Sequence, residues 1–191
     1  MSGQQRGHQR AHLRAPFRAW ILFGDSEFVH RAHAQNISEG GLLLDEIPQY
    51  PAEEETPIMF SLPRFPYLKD FDVVRLRNLH SEMNEGVVLR GHCFISRRAG
   101  ATSTVDEVFR PSVGLRFTNM PDDAKTLIAA YVATYQANLI YLQMLMDSWT
   151  TSEEIRLKAR LIADLLGYEN LTKVAQLRAQ VNLDYRSLQW L

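Results

Sequence analysis

At Asn119-Met120-Pro121-Asp122-Asp123 the chain changes its hydrophobic period, and this switch constrains the fold more than any other feature. Upstream lie short β-prone runs separated by turn residues: Phe17 to Phe23, Glu27 to Gln35, Leu42 to Leu44, Thr56 to Leu62, Phe71 to Leu79, Gly86 to Ile95, a weaker Thr104 to Phe109, and Ser112 to Phe117. Gly24-Asp25-Ser26, Gly40-Gly41, Asn84-Glu85-Gly86 and Arg98-Ala99-Gly100 punctuate them, and Gly-Asp predicts a hairpin. Many short strands at such spacing predict a small antiparallel barrel or sandwich. Arg64 to Asp70, with Pro66 and two aromatics, reads as an irregular loop.

Downstream, proline and acids mark a helix N-terminus. Ile128, Val132, Tyr135, Leu139, Leu142, Met146 and Trp149 then recur at alternating steps of four and three. From residue 121 to 149 this gives a helix of about 43 Å at ~1.5 Å per residue, longer than a small barrel is wide, so part of it should project. Two readings of the seam stand side by side: an intramolecular core and a homo-oligomer contact through Ile128 to Trp149. A second helix is expected over Glu153 to Leu166, capped near Ser152 and closed by Gly167. A third should run from Leu171 to about Leu188 behind Asn170, with Val174, Leu177, Val181, Tyr185 and Leu188 on one face. The expected organisation is an arm over residues 1 to 16, a β-rich unit over 17 to 120, and helices over 121 to 191.

With 191 residues, 46% hydrophobic and 23% charged, the composition is that of a globular chain with one good core. A net charge of -1 gives no global reason to expect DNA, since proteins that neutralise long phosphate backbones carry a basic excess. Any anion site must therefore be local. The single cysteine, Cys93, forms no internal disulfide and no cysteine-based zinc site; its apolar strand marks it as a packing residue in a reducing, cytoplasmic setting. The longest apolar stretch, Leu139 to Met146, contains Gln143 and is too short to span a bilayer, and the N-terminus lacks the apolar core of a secretory signal, so no membrane insertion is expected.

No phosphate-binding glycine loop, nucleophile elbow, metalloprotease helix or paired catalytic acids are evident, and the chain reads as a binding protein rather than an enzyme. His8 and His12, with His30 and His33, lack a further ligand at fixed spacing, so no metal and no cofactor are expected. Glu53-Glu54-Glu55 reads as a solvated loop.

Two elements stand apart. Arg6, Arg10, Arg14 and Arg18 recur every four residues, while the chain has only four lysines and none here. Residues 1 to 16 have no acid and no apolar period, which predicts a mobile arm. Guanidinium groups donate in pairs to guanine O6 and N7, stack on purines and grip phosphate. In Asn36-Ile37-Ser38-Glu39-Gly40-Gly41, the amide and hydroxyl are two apart and share a side in extended chain. Gly40 or Gly41 is expected to take positive φ or admit a close backbone approach; the hexapeptide alone reads first as an Asx or ST turn capping the end of a strand.

Taken together, Arg10-Ala-His-Leu-Arg14-Ala-Pro16 and Asn36-x-Ser38-x-x-Gly41, followed by Val113-Gly114-Leu115-Arg116-Phe117 and the helix from Pro121, resemble the PilZ domain family of bacterial cyclic-di-GMP receptors over residues 6 to 132. The resemblance implies a six-stranded antiparallel barrel in which Arg10 and Arg14 hold guanine and phosphate, Asn36 and Ser38 engage the other guanine face, and Gly41 keeps the turn tight. Arg6, Gly40 and Arg98 are secondary candidates. It further implies a protein partner that reads the ligand state, through the reordered arm or the C-terminal helices. The alternatives are a PilZ-like scaffold without nucleotide, working through its C-terminal helices, and a nucleic-acid binder with an arginine arm. The segment 64 to 82 is longer than the minimal family pattern and reads as an insertion.

Overall fold

The computed structural model describes residues 10–12, 20–24, 29–45, 55–82, 86–98, 113–150 and 152–189. Its strands are β1 (Arg10–His12), β2 (Trp20–Phe23), β3 (His30–Ser38), β4 (Gly41–Asp45), β5 (Thr56–Pro63), β6 (Gly86–Arg98) and β7 (Val113–Asn119). Every pairing is antiparallel. The order β3-β2-β5-β6-β7-β4 returns to β3 and so closes a six-stranded barrel, while β1 pairs with the second half of β3 on the same edge that β2 uses. Closure removes free edges, which a single small sheet would otherwise expose.

The barrel interior is filled by the inward residues of each strand: Ile21, Ala32, Ala34, Ile37, Leu42, Leu44, Ile58, Phe60, Leu89, Cys93, Val113 and Leu115 are all buried. Phe60 and Phe117 stack at 6.0 Å between centroids. Burial of Cys93, with the exposed Glu55 carboxylate adding to it, pushes its thiol up to about 12, and the thiol donates to the Thr56 carbonyl at 3.6 Å. Thus Cys93 packs rather than reacts.

The segment Phe71 to Leu79, expected as a strand, is helical: α1 runs Val73–Glu82. Val73, Val74 and Phe71 gave it a β-like composition. Tertiary burial of Leu76 and Leu79, three apart, selects the helix, and Asp72 accepts from the Arg75 backbone N–H at 2.8 Å to start it. The preceding loop contains a single 3-10 turn, Leu68–Asp70.

After Pro121, α2 runs Asp122–Asp147, α3 Glu153–Leu165 and α4 Val174–Gln189. The Ser152 hydroxyl accepts from Ile155 N–H at 3.1 Å, and Gly167 closes α3 at φ 87°. The last helix starts later than expected: Leu177 N–H bonds to the Lys173 carbonyl, so Asn170 caps nothing there, and Leu171 instead closes a turn onto Tyr168. Both α3 and α4 pack on α2, and α1 packs on α3. The heptad seam is consumed inside the chain, with Ile128, Val132, Tyr135, Leu139, Leu142 and Met146 each at most 3% exposed. The outer half of α2 therefore does not project bare, because α3 and α4 cover its apolar side. At these six residues the seam offers no free surface to a second copy, and Trp149, its last member, is half-buried.

Polar pins fix these layers. Asn138, 1% exposed, accepts from Leu68 N–H and donates to the Pro66 carbonyl, both at 2.8 Å, which ties the 64–70 loop to α2. Tyr168 donates to the buried Asp184 at 2.7 Å, and Gln180 donates to its other oxygen at 2.9 Å. Burial and the neighbouring Tyr135 and Asp184 push the Tyr168 hydroxyl far up in pKa, so it stays a donor. Among the described residues no helix is long and apolar enough to cross a membrane.

Candidate functional site

The Asn36–Gly41 motif lies at the end of β3 and the start of β4, and a bulge decides which way it points. Ala34 pairs with Leu44 and Asn36 with Leu43, so Gln35 is an extra residue on β3. Such an insertion reverses the alternation of faces. Ala32 and Ala34 point inward before it and Ile37 points inward after it, which turns Asn36 and Ser38 to the outside of the barrel. Both are nevertheless 7% and 6% exposed, with α2 packed against β3 and β1 and α4 against β1.

The register builds two cross-strand rows of backbone partners through this motif. One runs Arg10, Ser38, Gly41, Arg116, Phe94 across β1, β3, β4, β7 and β6. The other runs His12, Asn36, Leu43, Gly114, Arg97. The arginine of the N-terminal motif and the serine of the second motif are thus direct backbone partners, although 28 positions apart. Of the sequence candidates, Arg10, Asn36, Ser38, Gly40 and Gly41 come together here, while Arg98 pairs with Val113 farther along β6. Arg6 and Arg14 lie outside the described residues, as do His8, Glu53, Glu54 and the run Thr104 to Phe109. Among residues 1 to 16, the three described ones form a strand, so at least this part of the arm is laid on the barrel.

The glycines act differently from expectation. Neither Gly40 nor Gly41 has a left-handed φ. A Cβ on Gly41 would lie 1.9 Å from the Leu115 carbonyl oxygen, so β4 and β7 can approach only at a residue without a side chain. The Gly40 carbonyl accepts from Phe117 N–H at 3.0 Å, and the Ser38 hydroxyl donates to the Gly41 carbonyl at 3.3 Å. The tight turn follows from these contacts and from the absent Cβ. A consequence is that the β4 and β7 backbones lie close together between Ser38 and Arg116.

Arg116 is the residue that reading the motifs alone missed. It is exposed, and its guanidinium carbon lies 4.1 Å from the centroid of the Phe94 ring. A cation held over an aromatic face is a preorganised donor fork beside a flat platform. The usable signal was its alternation with the inward Leu115, but only the register shows that it borders Gly41. Among the described residues no group of three or more His, Cys, Asp or Glu side chains is placed to hold a metal ion.

No family model matches the chain, and no curated protein matches it by sequence. Among solved structures it is similar to the inhibitor of motility (MotI/DgrA) of Bacillus subtilis, at 13% identity, over 71% of this chain and 53% of that one, with a TM-score of 0.49. The chain spans about half the length of that protein. A likeness of this extent says nothing about a ligand or a partner.

Proposed function

We propose that this chain is a PilZ-type receptor for cyclic-di-GMP, with the ligand bound on the outer barrel face where β1, β3, β4 and β7 meet. The reading is supported above all by the register of Arg10 with Ser38 and His12 with Asn36, which sets the two motifs of the resemblance edge to edge. In this reading Arg10 and Arg14 bind guanine and phosphate, and Asn36 and Ser38 hydrogen-bond the second guanine. Arg116, the backbone partner of Gly41 on β7, adds a charge-assisted contact. Each such bond contributes roughly 1.5 to 3 kcal/mol.

Because Asn36 and Ser38 are covered in the free chain, ligand entry requires β1 or the helices against it to shift. That requirement links binding to the helical layer: a partner with different affinity for the covered and uncovered states would read the ligand. No catalytic step is proposed.

Calorimetric titration of cyclic-di-GMP into the full chain, with GMP as control, tests the reading. Wild type should bind in the micromolar range or tighter, and Arg10→Ala, Asn36→Ala and Arg116→Ala should each weaken binding by one to two decades, at about 1.4 kcal/mol per decade. Absence of heat from a folded sample at millimolar ligand would leave a scaffold that works through its helices.

A further inference from the structure

The outside of the barrel is not uniformly polar. On the side formed by β2, β5 and β6 lies a cleft of about 540 Å³, bounded also by Gly24 and Val29 and by the chain that enters α2. Strand alternation sets its lining. Ile21, Ile58, Leu89 and Cys93 point into the core, so Leu22, Pro57, Met59, Arg90 and His92 point out. Between the last two stands Gly91, where a Cβ would lie 2.1 Å from the Met120 sulfur and 2.9 Å from the Asn119 carbonyl oxygen. Its missing side chain lets the end of β7 lie against β6, and Pro121, two residues on from Asn119, forms part of the wall.

Two rows of backbone partners give the cleft two chemically different flanks. Leu22 pairs with Met59 and Met59 with Arg90, across β2, β5 and β6; Pro57 pairs with His92 and His92 with Asn119, across β5, β6 and β7. The first flank presents apolar groups, Leu22, Pro57 and Met59, with Val29 beside them at 64% exposure. The other presents hydrogen-bond donors, Arg90, His92 and Asn119. Arg90 and His92 are two apart on one strand, roughly 7 Å along it, so both can reach one small anionic group. Neither has a hydrogen bond or ion pair among the described residues, and no described lining residue is acidic. Nor does a Phe, Tyr or Trp ring line the cleft among the described residues, in contrast to Arg116, which lies over the Phe94 ring.

We propose that this cleft binds a medium-chain fatty acid, with the acyl chain along Leu22, Val29, Pro57 and Met59 and the carboxylate against Arg90 and His92. A planar guanidinium meets a carboxylate with two parallel hydrogen bonds. Aliphatic walls and an adaptable methionine suit a flexible chain, whereas a flat base would find no ring to stack on. The volume lies within the roughly 300 to 1000 Å³ of small-molecule sites, and apolar walls with a few convergent polar groups are their usual construction. The cleft shares no residue with the site at Arg10, Asn36, Ser38 and Arg116, so the proposal is independent of the nucleotide reading.

Calorimetric titration of decanoate into the full chain, below its micelle concentration, tests the proposal, with decanol as control for the chain and decylamine for the sign of the charge. Decanoate should bind with a Kd in the range of tens of micromolar, at least about tenfold tighter than decanol, and decylamine should bind more weakly than either. Octanoate should bind about fifteenfold more weakly than decanoate, about fourfold for each methylene lost. Arg90 is exposed, so Arg90→Gln leaves the fold intact; it should bring decanoate down to the affinity of decanol and leave decanol unchanged. Met59→Trp fills the apolar flank and should weaken both ligands. Absence of decanoate binding to folded wild type overturns the proposal, and so does equal affinity for decanoate and decanol. Retention of wild-type decanoate affinity by Arg90→Gln would mean that the chain adsorbs without a carboxylate site, which also overturns it.

Discussion

In β3 one extra residue, Gln35, reverses which side chains face the core, whereas in α2 nothing interrupts the repeat: a buried face runs about five turns from Ile128 to Met146, and an exposed apolar one about four turns from Ala130 to Met144. The strand thereby turns two polar residues outward at the point where the N-terminal strand joins, and the helix keeps one apolar face inside and another outside. A strand's period of two makes it sensitive to a single insertion, because one residue moves every later side chain to the other face. A helix spreads its faces over 3.6 residues per turn, so it can carry two stripes of seam spacing on opposite sides. The polar residues of the proposed site therefore lie at an irregularity of the barrel, while the helix holds the molecule together.

That contrast can be attacked at both ends. The largest effect is expected within the used stripe: Leu139→Ala removes a fully buried side chain between the layers and should cost about 4 kcal/mol in urea unfolding, whereas Met144→Ala on the unused stripe should change monomer stability by at most about 0.5 kcal/mol. Equal losses would mean that the two faces are not distinct in burial. In the barrel, Gly41→Ala should cost about 3 kcal/mol, since the new methyl meets a backbone carbonyl that cannot swing aside. A neutral outcome would show that β4 and β7 part easily.

The junction of the two regions gives an intermediate effect. Asn138→Ala strips the partners from Leu68 N–H and the Pro66 carbonyl and should cost about 2 kcal/mol. Amide exchange should accelerate at Leu68 with no change in β5. The smallest effect is a slope in pH. The folded thiol of Cys93 titrates at about 12, above its ordinary value of 9.0, so the fold holds this proton more tightly than the unfolded chain does. Its contribution is complete below pH 9 and is lost as pH rises from 9 towards 12. Stability of wild type should fall more steeply across that window than that of Cys93→Ala, and parallel curves would refute the assignment.

Much of this was legible in residue order. The switch at Pro121, the β-prone runs, the Ser152 cap and the Gly167 stop all depend on neighbours within a few residues, and local chemistry determines them. The misreadings have a common cause. Phe71 to Leu79 is β-like in composition and helical because Leu76 and Leu79 are buried. Gly41 looks like a turn glycine and is required by a carbonyl 74 positions away.

For the candidate site the division is the same. The sequence by itself determined that two short motifs carry arginine, amide and hydroxyl groups suited to a guanine nucleotide, since side-chain chemistry belongs to the residue. Tertiary structure decided that Arg10 pairs with Ser38, that the bulge at Gln35 turns Asn36 and Ser38 outward, and that Arg116 stands opposite Gly41. Cross-strand register depends on strand pairing over long separations, and no local signal encodes it. It also decided which of the two stripes on α2 is spent on the core, because both have the same spacing and only packing against α3 and α4 distinguishes them.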